Sequence, residues 1–575
     1  MLERMTPERI KKCTKNELNV LCDELRLTIY DTVMRCGGHL ASNLGSVEST
    51  VALFYAFDFP NDKIVFDVGH QCYTYKLLSG RYERFSTLRQ AGGISGFPKR
   101  NESEYDSYDT GHAGTSISAA IGLAKARDLK GEKRNIIAYI GDGSFNNGLV
   151  YEALSSLKIL NTNILIILND NGMSISPTVG GMYDILSQIK ENGTQENIRL
   201  LESFGLSYVG VKNGNDLDEM LECMANAKER LQHGSVLLHI ATKKGKGYEF
   251  SEEHPTNTHG IPPVGSPKER EYSEVLGETL CELAEKNPDI TIVSAAMKEA
   301  LGLSDFFKNF PERAFDVGIC EENASVLCSS MAAGGLKPYY AIYSTFLQRA
   351  FDEVIHDVCA QDLPVTFCID RAGISGADGE THQGVFDLSY LSLIPNMTIA
   401  VPKDTEELRA MLRFSATYPH PIAIRYPRAG RVLFNENTQP ITLGKWEYLH
   451  RAPNAKVTVL ATGERCLIIA MKVLKSLEKQ GNSFNVVNAR FVKPLDEECL
   501  KNIESEYIVT MEDNVACGGF GSAVNNALIS MQKGCKIKNF AYKDEFIPQG
   551  SVAFLQGEYG VNCKEIEEFI ASVLV

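Results

Sequence analysis

Residues 136–176 read IIAYIGDGSFNNGLVYEALSSLKILNTNILIILNDNGMSIS. Two apolar runs, IIAYI and ILIIL, each stop at Gly, Asp and Asn, with a helix-like segment between them. In an open parallel sheet, ligands sit beyond the carboxyl ends of the strands, where loops enter the following helices. Gly141-Asp142-Gly143 and Asn169-Asp170-Asn171 both fall at such ends. Asp142 and Asn171 stand 29 positions apart, about one strand–helix–strand crossover. One carboxylate and one amide carbonyl are hard oxygen ligands that suit Mg²⁺ or Ca²⁺, above all where phosphates complete the shell. The glycines let backbone N–H groups approach an anion at the start of the next helix. Taken singly, GDG and NDNG are ordinary turn sequences. Two strand tips at crossover spacing point instead to a diphosphate–metal site.

The same rhythm runs through all 575 residues. Short apolar runs alternate with amphipathic stretches: KIVFDV, NIIAYI, NILIIL and SVLLHIA first, then DITIVSAA, KPYYAIY, PVTFCID, MTIAV and PIAIRY. KVTVLATG, FNVVNARF and YIVTMED come last. Such runs between helical stretches predict parallel sheets covered on both faces. The Pro- and Gly-rich segment at 251–270 and a second break from Pro427 to about Pro453 interrupt the rhythm. We therefore expect an α/β chain of three domains with mostly parallel sheets, at 1–265, 266–435 and 436–575. A net charge of −15 argues against a general nucleic-acid binder, and no apolar span long enough to cross a bilayer is present. The 15 scattered cysteines, with no Cys-x-x-Cys pair, read as reduced thiols of a cytoplasmic protein.

Longer motifs carry a more specific signal. They are GGHLASNLGSVE at 37–48, DVGHQCYTYKLLSGR at 67–81, GGISGFPKRNESEYD at 92–106 and GHAGTSIS at 111–118. YSTFLQRAFDEVIHDV at 343–358, DRAGISGADGETHQGVFDLSYL at 370–391, IRYPRAG at 424–430 and GGFGSAV at 518–524 continue them. Together with GDG and its distant Asn, these resemble the 1-deoxy-D-xylulose-5-phosphate synthase family of the transketolase-like superfamily, over nearly the whole chain. The resemblance implies thiamine diphosphate and Mg²⁺ as cofactors and pyruvate and D-glyceraldehyde 3-phosphate as substrates. It also implies a homodimer, and a product that feeds isoprenoid, thiamine and pyridoxal synthesis.

The resemblance also assigns roles. Asp142 and Asn171 would hold the metal. Gly111, His112, Ala113, Gly143, Ser144 and Tyr248 would contact the cofactor, and Phe346 would pack on its pyrimidine. Glu321, in DVGICEENASV, would hydrogen-bond the pyrimidine and promote its action as a base; without the resemblance it reads as a carboxylate opening a helix. Among the 11 histidines, His39, His70, His112 and His382 lie in Gly-flanked or polar motifs rather than apolar stripes. His70 would touch diphosphate or substrate, and His39 would lie near the reactive carbon, where neutral imidazole suits proton transfer. Arg371 and Arg425 would take the acceptor's phosphate, since a guanidinium donates two parallel hydrogen bonds. Tyr343, Asp378 and His382 would complete the acceptor site.

The sequence departs from the family's pattern in four places. Asn323 stands where the family often has His beside its catalytic carboxylate. GHSSTS has become GHAGTS, and a usual Trp is Phe66. Only a short stretch separates Gln188 from the strand-like SFGLSYVG at 203–210, where the family carries a long mobile insertion. A transketolase-type carboligase with another acceptor, and a silent cofactor-binding paralogue, therefore stay open at this point.

Overall fold

The computed structural model describes residues 1–267, 270–430 and 440–574. Its first sheet has five parallel strands: β1 (Lys63–Phe66), β2 (Ile136–Gly141), β3 (Leu165–Asp170), β4 (Leu206–Asn213) and β5 (Ser235–Ala241), in the order β1-β2-β3-β5-β4. Every residue of β3 is buried. Its alternate side chains feed two cores. Leu165 and Ile167 face one with Phe54 and Tyr139, while Ile166 and Leu168 face the other with Ile117 and Ile140. Helices on both faces need apolar residues in succession, which is why the run reads ILIIL.

The second sheet contains β6 (Ile290–Ser294), β7 (Ala314–Asp316), β8 (Lys337–Tyr343), β9 (Thr366–Asp370), β10 (Thr398–Ala400) and β11 (Ile422–Arg425). The third contains β12 (Glu447–His450), β13 (Val457–Ala461), β14 (Asn485–Asn488), β16 (Tyr507–Val515) and β17 (Lys536–Tyr542). Between β14 and β16 the chain forms β15 (Phe491–Lys493), which leaves the third sheet and pairs antiparallel with β10, so the second sheet runs β15-β10-β11-β9-β8-β6-β7. Apart from that pair and β12–β14, the described strand pairs are parallel.

Each apolar run of the sequence lands on a strand. The reading missed β7, β12 and β17, which lie at sheet edges and are partly exposed, so they lack an apolar run. The chain forms two compact units. The first takes residues 1–267, Gly318–Cys320 and Ala377–Thr381; the second takes the remainder, with the second and third sheets together. The expected boundary near 435 lies outside the described residues. The short segment after Ser176 is mostly helical, as Gly181–Asn192 and Gln195–Glu202, and leads directly into β4. Among the described residues no helix is long and apolar enough to cross a membrane.

Candidate functional site

In the first unit, register decides the geometry. Gly141 pairs with Asn169, so the loops after β2 and β3 leave the sheet side by side. Asn171 N donates to Asp142 Oδ1 at 3.3 Å, and Thr178 Oγ1 donates to Asp142 Oδ2 at 2.7 Å. Gly143 is required there, because a Cβ would lie 2.9 Å from the Ser174 side chain. Asp142 is buried, and burial together with the nearby Asp170 charge pushes its carboxyl above the ordinary range. Burial works against Asp170 too, but hydrogen bonds from His239 Nε2 at 2.9 Å and Lys190 Nζ at 2.7 Å hold it below that range. His239 is fixed in turn by Tyr208 Oη at 2.9 Å. Asp170 Oδ1 accepts from Gly172 N at 3.1 Å and so shapes the turn that carries Asn171. A cavity of about 450 Å³ opens beside Asn171, Met173, Thr242 and Lys244.

The end of β1 supplies a second loop. Asp67, also buried, accepts from Gly114 N at 2.8 Å and Ser116 N at 3.1 Å, and a Ser144 hydrogen bond helps offset the upward effect of burial on its carboxyl. Gly114 has φ 85°, and a Cβ there would run into Asn147 Oδ1, so the Gly of GHAGTS fits this turn. Gly111 and Ala113 flank His112, whose Nε2 meets Thr381 O at 2.8 Å. Ser144 and Ala113 are both buried.

Three imidazoles gather in the same unit. His39, His70 and His259 have ring centroids 5.4–5.6 Å apart. Asn43 joins their loops, donating from Nδ2 to His39 O at 2.7 Å and His70 O at 2.6 Å, while its Oδ1 accepts from Tyr73 N at 2.9 Å. Burial first, then neighbouring positive groups including Lys244, puts His70 and His259 well below the usual imidazole range. They are therefore neutral near pH 7. His70 Nδ1 is buried with no hydrogen-bond partner among the described residues. The Lys244 ammonium donates to Ser174 O, and burial brings it down to about 8 against the pull of Asp142. Tyr248 packs edge-on against Tyr30, with centroids 4.9 Å apart. Asp378 belongs to this unit, where Arg89 Nη2 donates to it at 2.6 Å.

The second unit carries the remaining candidates. Glu321 opens the helix Glu321–Ala333 and is only 6% exposed. Burial raises its carboxyl above the usual range, although the Arg349 guanidinium, 3.7 Å away, opposes this. Its Oε2 is buried and makes no hydrogen bond among the described residues. Asn323, on the same turn, is exposed. Phe346 stacks on Tyr343 at 5.4 Å and meets His382 edge-on at 5.6 Å. The Arg371 guanidinium lies over the Tyr343 ring, 4.8 Å from its centroid, and grips Asp370 with Nη1 at 3.0 and 2.9 Å.

Arg425 corrects the sequence reading. It is 3% exposed, and its guanidinium donates to Asp387 Oδ1 at 2.8 Å, Gly384 O at 3.2 Å and Asp513 O at 2.7 Å. Those bonds hold it in the unit's interior. Arg428 is exposed instead, and shares Glu271 with Arg371. The sequence reading therefore missed Arg428, Lys244 and His259. A signal existed for the histidine, because Gly260 follows it as glycine precedes His39, His70 and His112; it lies in the Pro- and Gly-rich segment at 251–270 that interrupts the rhythm.

The donor sets fit the implied groups. A buried, charge-disfavoured Asp142 beside the Asn171 amide suits a hard divalent cation. Buried Lys244 and the orphaned His70 nitrogen suit an anion, and the unbonded Glu321 carboxyl suits a ring nitrogen.

Comparison with known proteins follows the same outline. A family model described as 1-deoxy-D-xylulose-5-phosphate synthase matches residues 2–199. The pyrimidine-binding domain of transketolase matches 268–430, and the transketolase C-terminal domain matches 444–566. The chain is 43% identical to a 1-deoxy-D-xylulose-5-phosphate synthase of Clostridium botulinum and 45% identical to one of Clostridium beijerinckii, covering 98% of both partners each time. The first alignment has 609 positions against 575 residues, so at least 34 positions of that relative have no counterpart here. Among solved structures, transketolase from Campylobacter jejuni aligns over 97% of this chain and 100% of its own at 20% identity, with a TM-score of 0.46.

Proposed function

This chain belongs to the 1-deoxy-D-xylulose-5-phosphate synthase family, and we propose that it joins pyruvate, with loss of CO₂, to D-glyceraldehyde 3-phosphate. The observation that carries the reading is the pairing of Asp142 and Asn171 at the adjacent ends of β2 and β3. In this reading those two residues hold Mg²⁺, and Gly143, Ser144, His112 and the Lys244 ammonium receive the diphosphate of thiamine diphosphate. That cofactor, when bound, supplies the carbon nucleophile and the electron sink. Glu321 does the proton work at the pyrimidine: burial favours the protonated form of its carboxyl, the form that can donate to a ring nitrogen. Phe346, held by Tyr343, gives the ring an apolar face.

The neutral pair His70 and His259, with His39 against both, can accept or donate protons around the reacting carbonyl groups. His382 belongs with the acceptor's aldehyde, and Asp378, oriented by Arg89, with its hydroxyl. Arg371 and Arg428, rather than Arg425, take the phosphate. The protein works in the cytoplasm as a homodimer.

A paired assay tests the proposal: pyruvate, thiamine diphosphate and Mg²⁺ with and without glyceraldehyde 3-phosphate, following CO₂ and the mass of the sugar product. CO₂ with a deoxypentulose phosphate is expected. CO₂ with another product would move the chain to a different carboligase reaction. In the same assay, Glu321→Gln should lower turnover roughly 100- to 10,000-fold, the range for a lost general acid–base group, and undiminished CO₂ release would remove Glu321 from the mechanism.

A further inference from the structure

Glu271 occupies the fork between the two arginines. Its Oε1 accepts from Arg428 Nε at 2.8 Å and its Oε2 from Arg371 Nη2 at 3.2 Å. The other amino group of Arg371 is already committed to Asp370, and Tyr343 beneath the guanidinium fixes its plane. Arg371 also holds a left-handed φ of 58°, a conformation that costs energy in a residue with a side chain. The carboxylate is delivered by backbone. Tyr272 N donates to Arg428 O at 3.0 Å and Gly430 N to Arg270 O at 3.2 Å, so Glu271 faces Ala429 in an isolated antiparallel bridge. Glu271 then leads into the helix Tyr272–Lys286. Burial alone would raise its carboxyl, but Arg371 and Arg428 together hold it below the ordinary range, so it is an anion at neutral pH.

We propose that Glu271 is a built-in competitor for the acceptor's phosphate, and that it sets how strongly the enzyme prefers phosphorylated to unphosphorylated aldehydes. This rests on the reading of Arg371 and Arg428 as the phosphate's partners. A carboxylate bridging two guanidinium groups occupies the positions that two oxygens of a phosphate would take. The two anions repel, so phosphate entry requires Glu271 to turn away, and its side chain, 25% exposed, has solvent to turn into. A dianion with three oxygens displaces it more readily than a monoanion. Carboxylates such as the donor pyruvate are therefore kept off the fork, at the cost of a weaker hold on the acceptor. While the fork awaits substrate, Glu271 also offsets the repulsion between the two guanidinium groups.

The experiment compares wild type with Glu271→Gln and Glu271→Asp. It measures kcat/KM for glyceraldehyde 3-phosphate and for unphosphorylated glyceraldehyde, and the inhibition constant of inorganic phosphate. In Glu271→Gln the ratio of the two kcat/KM values should rise roughly three- to tenfold, and inorganic phosphate should bind tighter by a similar factor, as expected for losing a partly buried competing charge. Glu271→Asp keeps the charge and should stay close to wild type. An unchanged or lower ratio in Glu271→Gln would overturn the proposal. Arg428→Ala and Arg371→Lys separate the two layers of the argument. If both leave the ratio at its wild-type value, the arginines do not hold the phosphate and the inference falls with that reading. If both lower it and Glu271→Gln lowers it as well, Glu271 supports the fork instead of competing for it, and only the inference fails.

Discussion

Arg425 and Arg428 stand three positions apart in IRYPR, yet their surroundings have nothing in common. Arg425 ends β11 and turns into the interior onto Asp387; Pro427 then takes the chain off the sheet, and Arg428 emerges in solvent. A sequence shows two guanidinium groups, but not which one is sealed, because the partner carboxylate lies 38 positions away. Arg425→Met should therefore cost about 3–5 kcal/mol, the range for stranding one member of a buried ion pair, read as a lower urea midpoint. Arg428→Ala should leave that midpoint nearly unchanged and raise KM for glyceraldehyde 3-phosphate. The opposite pattern would return the phosphate to Arg425. Glu321 makes a second residue-scale case. Its motif was legible as a helix-opening carboxylate, whereas its burial and unbonded Oε2 were not. Because its folded value lies above the ordinary 4.5, the folded chain holds that proton more tightly than the unfolded one. The resulting stabilisation is complete below 4.5 and is lost as pH rises through the folded value. Glu321→Gln should accordingly lose less stability than wild type as pH rises above 4.5, and parallel urea profiles would contradict the assignment.

At the scale of elements, the tips of β2 and β3 were readable because strands buried on both faces advertise themselves as uninterrupted apolar runs. The edge strands β12 and β17 did not, since both are partly exposed and between them carry Glu, Lys and Asn. The buried wiring behind the tips was equally hidden: Asp67, Asn43 and His239 act through partners dozens of positions away. One such link ties a helix to the loop that carries Asn171. Lys190 lies near the end of Gly181–Asn192 and donates to Asp170, while Leu186 and Ile189 pack the same helix onto the core. Lys190→Met should keep the apolar packing and lose the tie. Backbone amides of that helix should then exchange with solvent roughly tenfold faster, equivalent to about 1.4 kcal/mol for one charge-assisted hydrogen bond. Unchanged exchange would mean that Leu186 and Ile189 alone hold the helix.

For the whole molecule, the sequence reads as three alternating blocks, and it does not show how they connect. Light scattering should find a particle of twice 63.5 kDa at micromolar concentration, and a 63.5 kDa particle would refute the homodimer. The connection that the rhythm concealed is β15, three residues that follow β14 yet complete the sheet of the preceding block against β10. On the ribosome this order matters. The middle sheet is synthesised through β11 while the hydrogen-bonding edge of β10 still lacks its neighbour, and that neighbour arrives only when the chain has grown past Lys493. Until then the nascent protein carries an open strand edge of the kind that recruits foreign strands. A stop codon placed between β11 and β15 makes that transient exposure permanent, because the chain then lacks the strand that closes the edge of β10.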